Sequence, residues 1–212
     1  MSIIFAIIIL IVSVILHEVA HGYMANWLGD PTARLSGRLT LNPLPHIDPV
    51  GSILLPVLML LQQPLTGVPL IIGYAKPVPY NPYNLQGYWA EALVAFAGPG
   101  TNIALAVIFG IAIRFLGLTS VLVAPFAIIV ELNLLLALFN LIPFPPLDGS
   151  KVLSALLPGA LGAAYDRLRH SLERLGILTG TLILMLVFYF LLMPIFSIVI
   201  GWVFTILTGI TL

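Results

Sequence analysis

Residues 2–27, 89–115 and 121–141 run almost free of charge, each long enough to cross a bilayer as a helix. A helix rises about 1.5 Å per residue and a hydrocarbon core is about 30 Å thick, so about 20 apolar residues suffice. Composition points the same way: 60% of the 212 residues are hydrophobic and 8% charged. Soluble domains carry roughly 25% charged residues. The length suits one domain, read as a core over about 2–155 and an amphipathic stretch with one or more spans over 156–212. Eight basic residues balance eight acidic ones, so nothing points to nucleic acid as a partner. No cysteine is present, which excludes disulfides, thiolate metal sites and cysteine nucleophiles. The N-terminal run lacks a basic flank and is read as a retained span rather than a signal peptide.

Inside the first run lies HEVAH, residues 17–21. Ionisable groups at membrane depth are costly and mark functional sites. On a helix, positions i and i+4 share a face, so His17 and His21 can reach one metal ion. Glu18, rotated by about 100°, borders that face and can act as a general base. A catalytic zinc takes three protein ligands and keeps one position open. His46, Asp48, Glu91, Glu131, Asp148, Asp166, His170 and Glu173 are candidates for the third ligand. Asp148 is favoured. It follows the apolar run 121–141 and the proline-rich turn IPFPP, and Gly149 after it allows close backbone approach.

The remainder supplies the topology. Gly29, Asp30 and Pro31 end the first helix, residues 32–41 are β-compatible, and Asp48-Pro49 reads as an N-cap with its first turn. Residues 74–88, rich in proline, tyrosine and asparagine, cannot be helical throughout and suit an interface. Residues 151–174 read as one amphipathic interfacial helix, and 175–194 and 195–212 as further apolar segments divided at Pro194. If His17, His21 and Asp148 meet, the helices before them end on the same side. The hairpin 89–115/121–141 leaves and returns to that side, so 28–88 must begin and end there. Residues 50–73 are too short for two crossings and are predicted to form a re-entrant loop. This places Arg34, Arg38, Lys76, Lys151, Arg167, Arg169 and Arg174 on one side and only Arg114 opposite. That bias marks the cytoplasmic face, with the N-terminus outside and the metal nearer the cytoplasm.

HEVAH, the segment GPGTN (98–102) and NLIPFPPLDG (140–149), in this order, resemble the site-2 protease family (peptidase family M50) of intramembrane zinc metalloproteases. The likeness covers roughly residues 5–153 and is to the short prokaryotic branch without PDZ or CBS domains. It implies an all-α multi-pass membrane protein of four to six spans, with a re-entrant or short β element between the HEVAH and GPGTN helices. It implies one Zn2+ per chain held by His17, His21 and Asp148, with Glu18 as base. Asn140 would meet the substrate or the developing oxyanion, and Gly98, Pro99 and Asn102 would be structural. The implied substrates are transmembrane segments of other proteins, cleaved in the plasma membrane, and segment 74–83 would lie near their channel. LDGSK departs from the commoner LDGG, at a position that is not a ligand. A transporter would instead spread polar residues across depth and show an inverted repeat, and neither is found. A non-catalytic binder of membrane segments would not need an intact HEVAH and Asp148.

Overall fold

The computed structural model describes residues 3–54, 74–116, 120–174, 187–188 and 192–211. Its first helix, α1 (Ile3–Trp27), runs unbroken through HEVAH, as the apolar run predicts. It ends where Gly29 takes a positive φ of 104° that a side chain would resist. Asp30 follows, fully buried. It accepts hydrogen bonds from Thr32 Oγ1 (2.5 Å), the Asn81 N–H (2.6 Å) and Asn84 Nδ2 (2.8 Å), tying the end of α1 to residues 81–84. The Gln86 N–H donates to the Leu28 carbonyl at 2.8 Å. Residues 28 and 86 therefore lie side by side, as the topological argument requires of a segment that starts and ends on one face.

Between them come a short helix, α2 (Thr32–Leu35), a 3-10 turn (Leu44–His46) and a π-helical turn (Pro49–Leu54). Asp48 caps this last turn through the Val50 and Gly51 N–H groups at 2.9 and 2.7 Å, as its pairing with Pro49 predicts. Beyond that turn, most of the re-entrant loop predicted over 50–73, residues 55–73, lies outside the described residues. Residues 74–80 belong to no helix, and a second 3-10 turn spans Pro82–Asn84. No strand forms among the described residues, so the expected short β element is not among them.

Helix α3 (Ala90–Leu116) is the centre of the bundle, and α4 (Val123–Asn140) returns beside it as the predicted hairpin. Two short helices follow, α5 (Asp148–Leu156) and α6 (Gly159–Glu173), then α7 (Met193–Thr208). One amphipathic helix was expected over 151–174. Pro158 divides it, because a proline disfavours helical backbone in the residue before it, and Leu157 is extended. α3 packs against α1, α4, α5 and α7. Gly98, Asn102, Ala106, Gly110 and Ile113 line its buried face. Small residues let helix backbones approach, and a Cβ on Gly110 would lie 2.8 Å from that of Leu207. Ala106, Ile113, Val130, Leu134 and Phe204 form an apolar core between α3, α4 and α7.

Among the described residues, three helices are long and apolar enough to cross a membrane: Ile4–Trp27, Ala90–Leu116 and Val123–Asn140. Met193–Thr208 is a shorter apolar helix. The segment expected over 175–194 falls almost wholly outside the described residues. Ile4, Ile7, Ile8, Ile108 and Ile111 are exposed, as lipid-facing residues would be.

Candidate metal centre

Position four along a helical face brings His17 and His21 together, and α1 holds both buried. The turn after α4 delivers Asp148 to them as the first residue of α5. Gly149 permits this, since a Cβ there would lie 2.6 Å from the Ile142 carbonyl oxygen. Asp148 Oδ2 lies 3.2 Å from His17 Nε2 and 3.3 Å from His21 Nε2, and the two Nε2 atoms are 3.1 Å apart. Among the described residues this is the one group of three His, Asp or Glu side chains able to share a metal ion.

The partners of the two imidazoles fix where their protons sit. His21 Nδ1 faces the Val94 carbonyl at 2.6 Å, which can only accept, so Nδ1 carries the hydrogen. His17 Nδ1 faces Asn102 Oδ1 at 2.6 Å. The orientation of that amide follows from its neighbour. Asn133 Nδ2 donates to the Ile129 carbonyl at 2.9 Å and to Ser13 Oγ at 3.0 Å, which turns Asn133 Oδ1 towards Asn102 Nδ2 at 2.8 Å. Asn102 therefore presents its oxygen to His17, and His17 Nδ1 also carries the hydrogen. Both Nε2 atoms are left with lone pairs, pointed at each other and at a carboxylate oxygen. Such a cluster calls for a cation.

Zinc fits this donor set. Bond lengths of about 2.0–2.2 Å at tetrahedral angles separate ligand atoms by about 3.3–3.6 Å, a few tenths beyond the spacings here. Space is reserved as well. α3 passes so close that a Cβ on Gly98 would meet His21 Nε2 and lie 2.6 Å from His17 Nε2.

Glu18 stands beside the cluster. Its Oε2 accepts the Val78 N–H at 2.9 Å, and its Oε1 has no hydrogen-bond partner among the described residues. Asn140, on α4, donates from Nδ2 to the Leu136 carbonyl at 2.9 Å and makes no hydrogen bond to the cluster. The other candidate ligands lie elsewhere. His46 is buried against the Thr40 carbonyl, Asp48 caps its own turn, and Glu131 is exposed on α4. Glu91 and Asp166 face Arg169, at 3.9 and 3.3 Å, and His170 Nδ1 bonds the Asp166 carbonyl. The Glu173 side chain lies outside the described ones. Arg114 reaches the Ile206 and Leu207 carbonyls at the end of α7. Sequence reasoning gave Asn102 a packing role and found no role for Asn133 or Ser13. The available signal was that each is a polar residue inside an apolar helix, buried with no charge to answer.

An H-E-x-x-H helix, a carboxylate from a distant turn and an apolar bundle around them define a membrane-embedded zinc hydrolase. The family model for peptidase family M50 matches residues 117–187, which include Asp148 but not HEVAH. The chain is 39% identical over 169 residues to "Putative zinc metalloprotease YwhC" of Bacillus subtilis (strain 168), covering 75% of this chain and 72% of that one. Rip2 of Mycobacterium tuberculosis (strain ATCC 25618 / H37Rv), given the same designation, is 35% identical over 141 residues. That match covers 66% of this chain but only 52% of Rip2. MJ0611 of Methanocaldococcus jannaschii, also so designated, is 45% identical over 87 residues, 40% of this chain and 46% of that one. No solved structure matches the chain. The chain belongs to peptidase family M50 and is a membrane zinc metalloendopeptidase.

Proposed function

We propose that this protease cleaves transmembrane segments of other membrane proteins at a site nearer the cytoplasmic face, with the N-terminus outside. The observation that carries the reading is the cluster itself: three lone pairs of His17, His21 and Asp148 converging inside a bundle whose outer surface is apolar. The clustering of Lys and Arg on one side supports the orientation.

In this reading His17 Nε2, His21 Nε2 and Asp148 Oδ2 hold the zinc. Bound there, zinc supplies Lewis-acid polarisation of a carbonyl and makes water acidic enough to lose a proton near neutral pH. Glu18 takes that proton. Its Oε2 is occupied by the Val78 N–H, so Oε1 is the atom free to receive it and to return it to the leaving amide nitrogen. Asn140 keeps one amide hydrogen beyond its bond to Leu136, and this hydrogen would meet the substrate or its oxyanion.

The test is Glu18→Gln in the purified full chain, assayed on a single-span model substrate in phospholipid vesicles beside metal analysis. The expected result is one zinc per chain in both proteins and a loss of cleavage of at least about a hundredfold in the variant, the usual range for a lost acid–base group. Wild-type protein without stoichiometric zinc would overturn the reading.

A further inference from the structure

We infer that Arg38 is a positioning residue for Glu18, acting through the single peptide group that joins Pro77 to Val78. That peptide is held at both ends. Its carbonyl, on Pro77, accepts from Arg38 Nη2 at 3.3 Å, and its N–H, on Val78, donates to Glu18 Oε2 at 2.9 Å. The same Nη2 donates to the Lys76 carbonyl at 2.8 Å. A guanidinium, a peptide and a carboxylate thus stand in line, positive end to negative end, and each polarises the next.

The surroundings are built for this line. Arg38 is 8% exposed, and among the described residues it makes no ion pair. Its Nε is buried without a hydrogen-bond partner. A buried charge without a counter-ion is costly, and here its partners are backbone carbonyls of one non-helical segment. That segment is gripped again where the Lys76 N–H donates to the His46 carbonyl at 2.9 Å. His46 in turn is buried with Nε2 on the Thr40 carbonyl, which closes the loop 40–46 behind the segment. On the other side, α1 makes room. Gly22, one turn beyond Glu18, would with a Cβ lie 2.8 Å from Val78 Cγ1 and 2.6 Å from Leu39 Cδ2.

The consequence concerns geometry. A glutamate has three side-chain torsions, and Glu18 is half-exposed. Fixing Oε2 on a peptide that cannot move aims Oε1. Arg38 keeps that peptide in place and strengthens its N–H as a donor, although Arg38 itself touches neither zinc ligand nor Glu18. The inference rests on the reading of Glu18 as the base.

The experiment uses the full zinc-loaded chain in detergent micelles and vesicles, with Arg38→Gln and Arg38→Lys made in the wild-type and Glu18→Asp backgrounds. Two quantities are read: the amide proton shift of 15N-labelled Val78, which needs no substrate, and kcat and KM on the single-span model substrate. Arg38→Gln is expected to move the Val78 amide upfield and lower kcat about 10–100-fold, the scale of a misplaced catalytic group. KM and zinc content stay as in the wild type. Arg38→Lys, which keeps the charge, recovers part of both. The Glu18→Asp carboxylate is one carbon too short for Val78, so there Arg38→Gln costs less than about threefold further, the pair being coupled. An unchanged Val78 shift, or an equal loss of kcat in both backgrounds, overturns the inference. Should Arg38→Gln not fold, Arg38→Lys carries the same comparison. Full turnover by Glu18→Gln would instead remove Glu18 as base, and the Val78 shift would still report whether Arg38 holds the peptide.

Discussion

Asn102→Leu tests how the hydrogen bond from His17 Nδ1 supports metal binding, beside a separate cost to the fold. In the folded chain Asn102 Oδ1 takes the His17 Nδ1 hydrogen at 2.6 Å and so keeps Nε2 free. Leucine has no acceptor, and the imidazole can then place its hydrogen on Nε2, the atom that the proposed reading requires to be bare for zinc. Loss of such an outer partner costs about 10–100-fold in metal affinity, or about 1.4–2.8 kcal/mol. A second cost falls on the fold, because Asn133 is fully buried and its Oδ1 loses the Asn102 donor. Leaving that oxygen unpaired destabilises the bundle by about 1–3 kcal/mol. Competition titration against a chromophoric chelator in detergent measures the first term, and thermal unfolding of the zinc-free protein the second. Asn102→Asp keeps the acceptor and should hold zinc within about tenfold of wild type, and Asn140→Leu should leave affinity unchanged. If Asn102→Leu unfolds as the wild type does and binds zinc equally tightly, the tautomer argument is wrong.

Gly98→Ala should abolish stoichiometric zinc, since its methyl group would lie 2.6 Å from His17 Nε2, and metal analysis of folded variant protein checks this. Asp30→Asn should destabilise the protein by about 2–4 kcal/mol at neutral pH, the scale of a buried hydrogen-bonded carboxylate. The effect depends on pH in a definite direction. Burial disfavours the charge of Asp30, but hydrogen bonds from Thr32, Asn84 and the Asn81 N–H outweigh it and hold its carboxyl below the usual range. Its contribution is therefore complete above the unfolded value of about 3.9 and fades as pH falls through the lower folded value. Melting curves of wild type and Asp30→Asn should converge below about pH 4, and a gap that widens there would refute the assignment.

The spans over α1, α3 and α4 were legible because lipid leaves a long apolar run little choice of structure. HEVAH was legible as a candidate because charge inside such a run requires a reason, and Asp148 because it follows a proline-broken apolar run and precedes a glycine. Pro158 was present in the sequence, but an amphipathic pattern on both sides hid the break it makes in residues 151–174. The support of the site was less readable for another cause. Asn102, Asn133 and Ser13 belong to three different helices, and only their packing reveals that one amide orients the next. Arg38 and Val78 were silent for the same reason: one acts through backbone carbonyls and the other through an N–H, and neither depends on a pattern of side chains.

His17 and Asp148 are 131 residues apart in sequence yet within 3.2 Å in space. During synthesis the HEVAH residues are made long before Asp148 is. The three-residue group of the proposed metal site cannot form in that interval, however available the metal. In the proposed reading, a nascent chain thus carries a complete HEVAH sequence beside other membrane proteins before it can cut them. In the proposed reading activity waits until α5 has brought Asp148 to α1, so the separation in sequence acts as an assembly checkpoint.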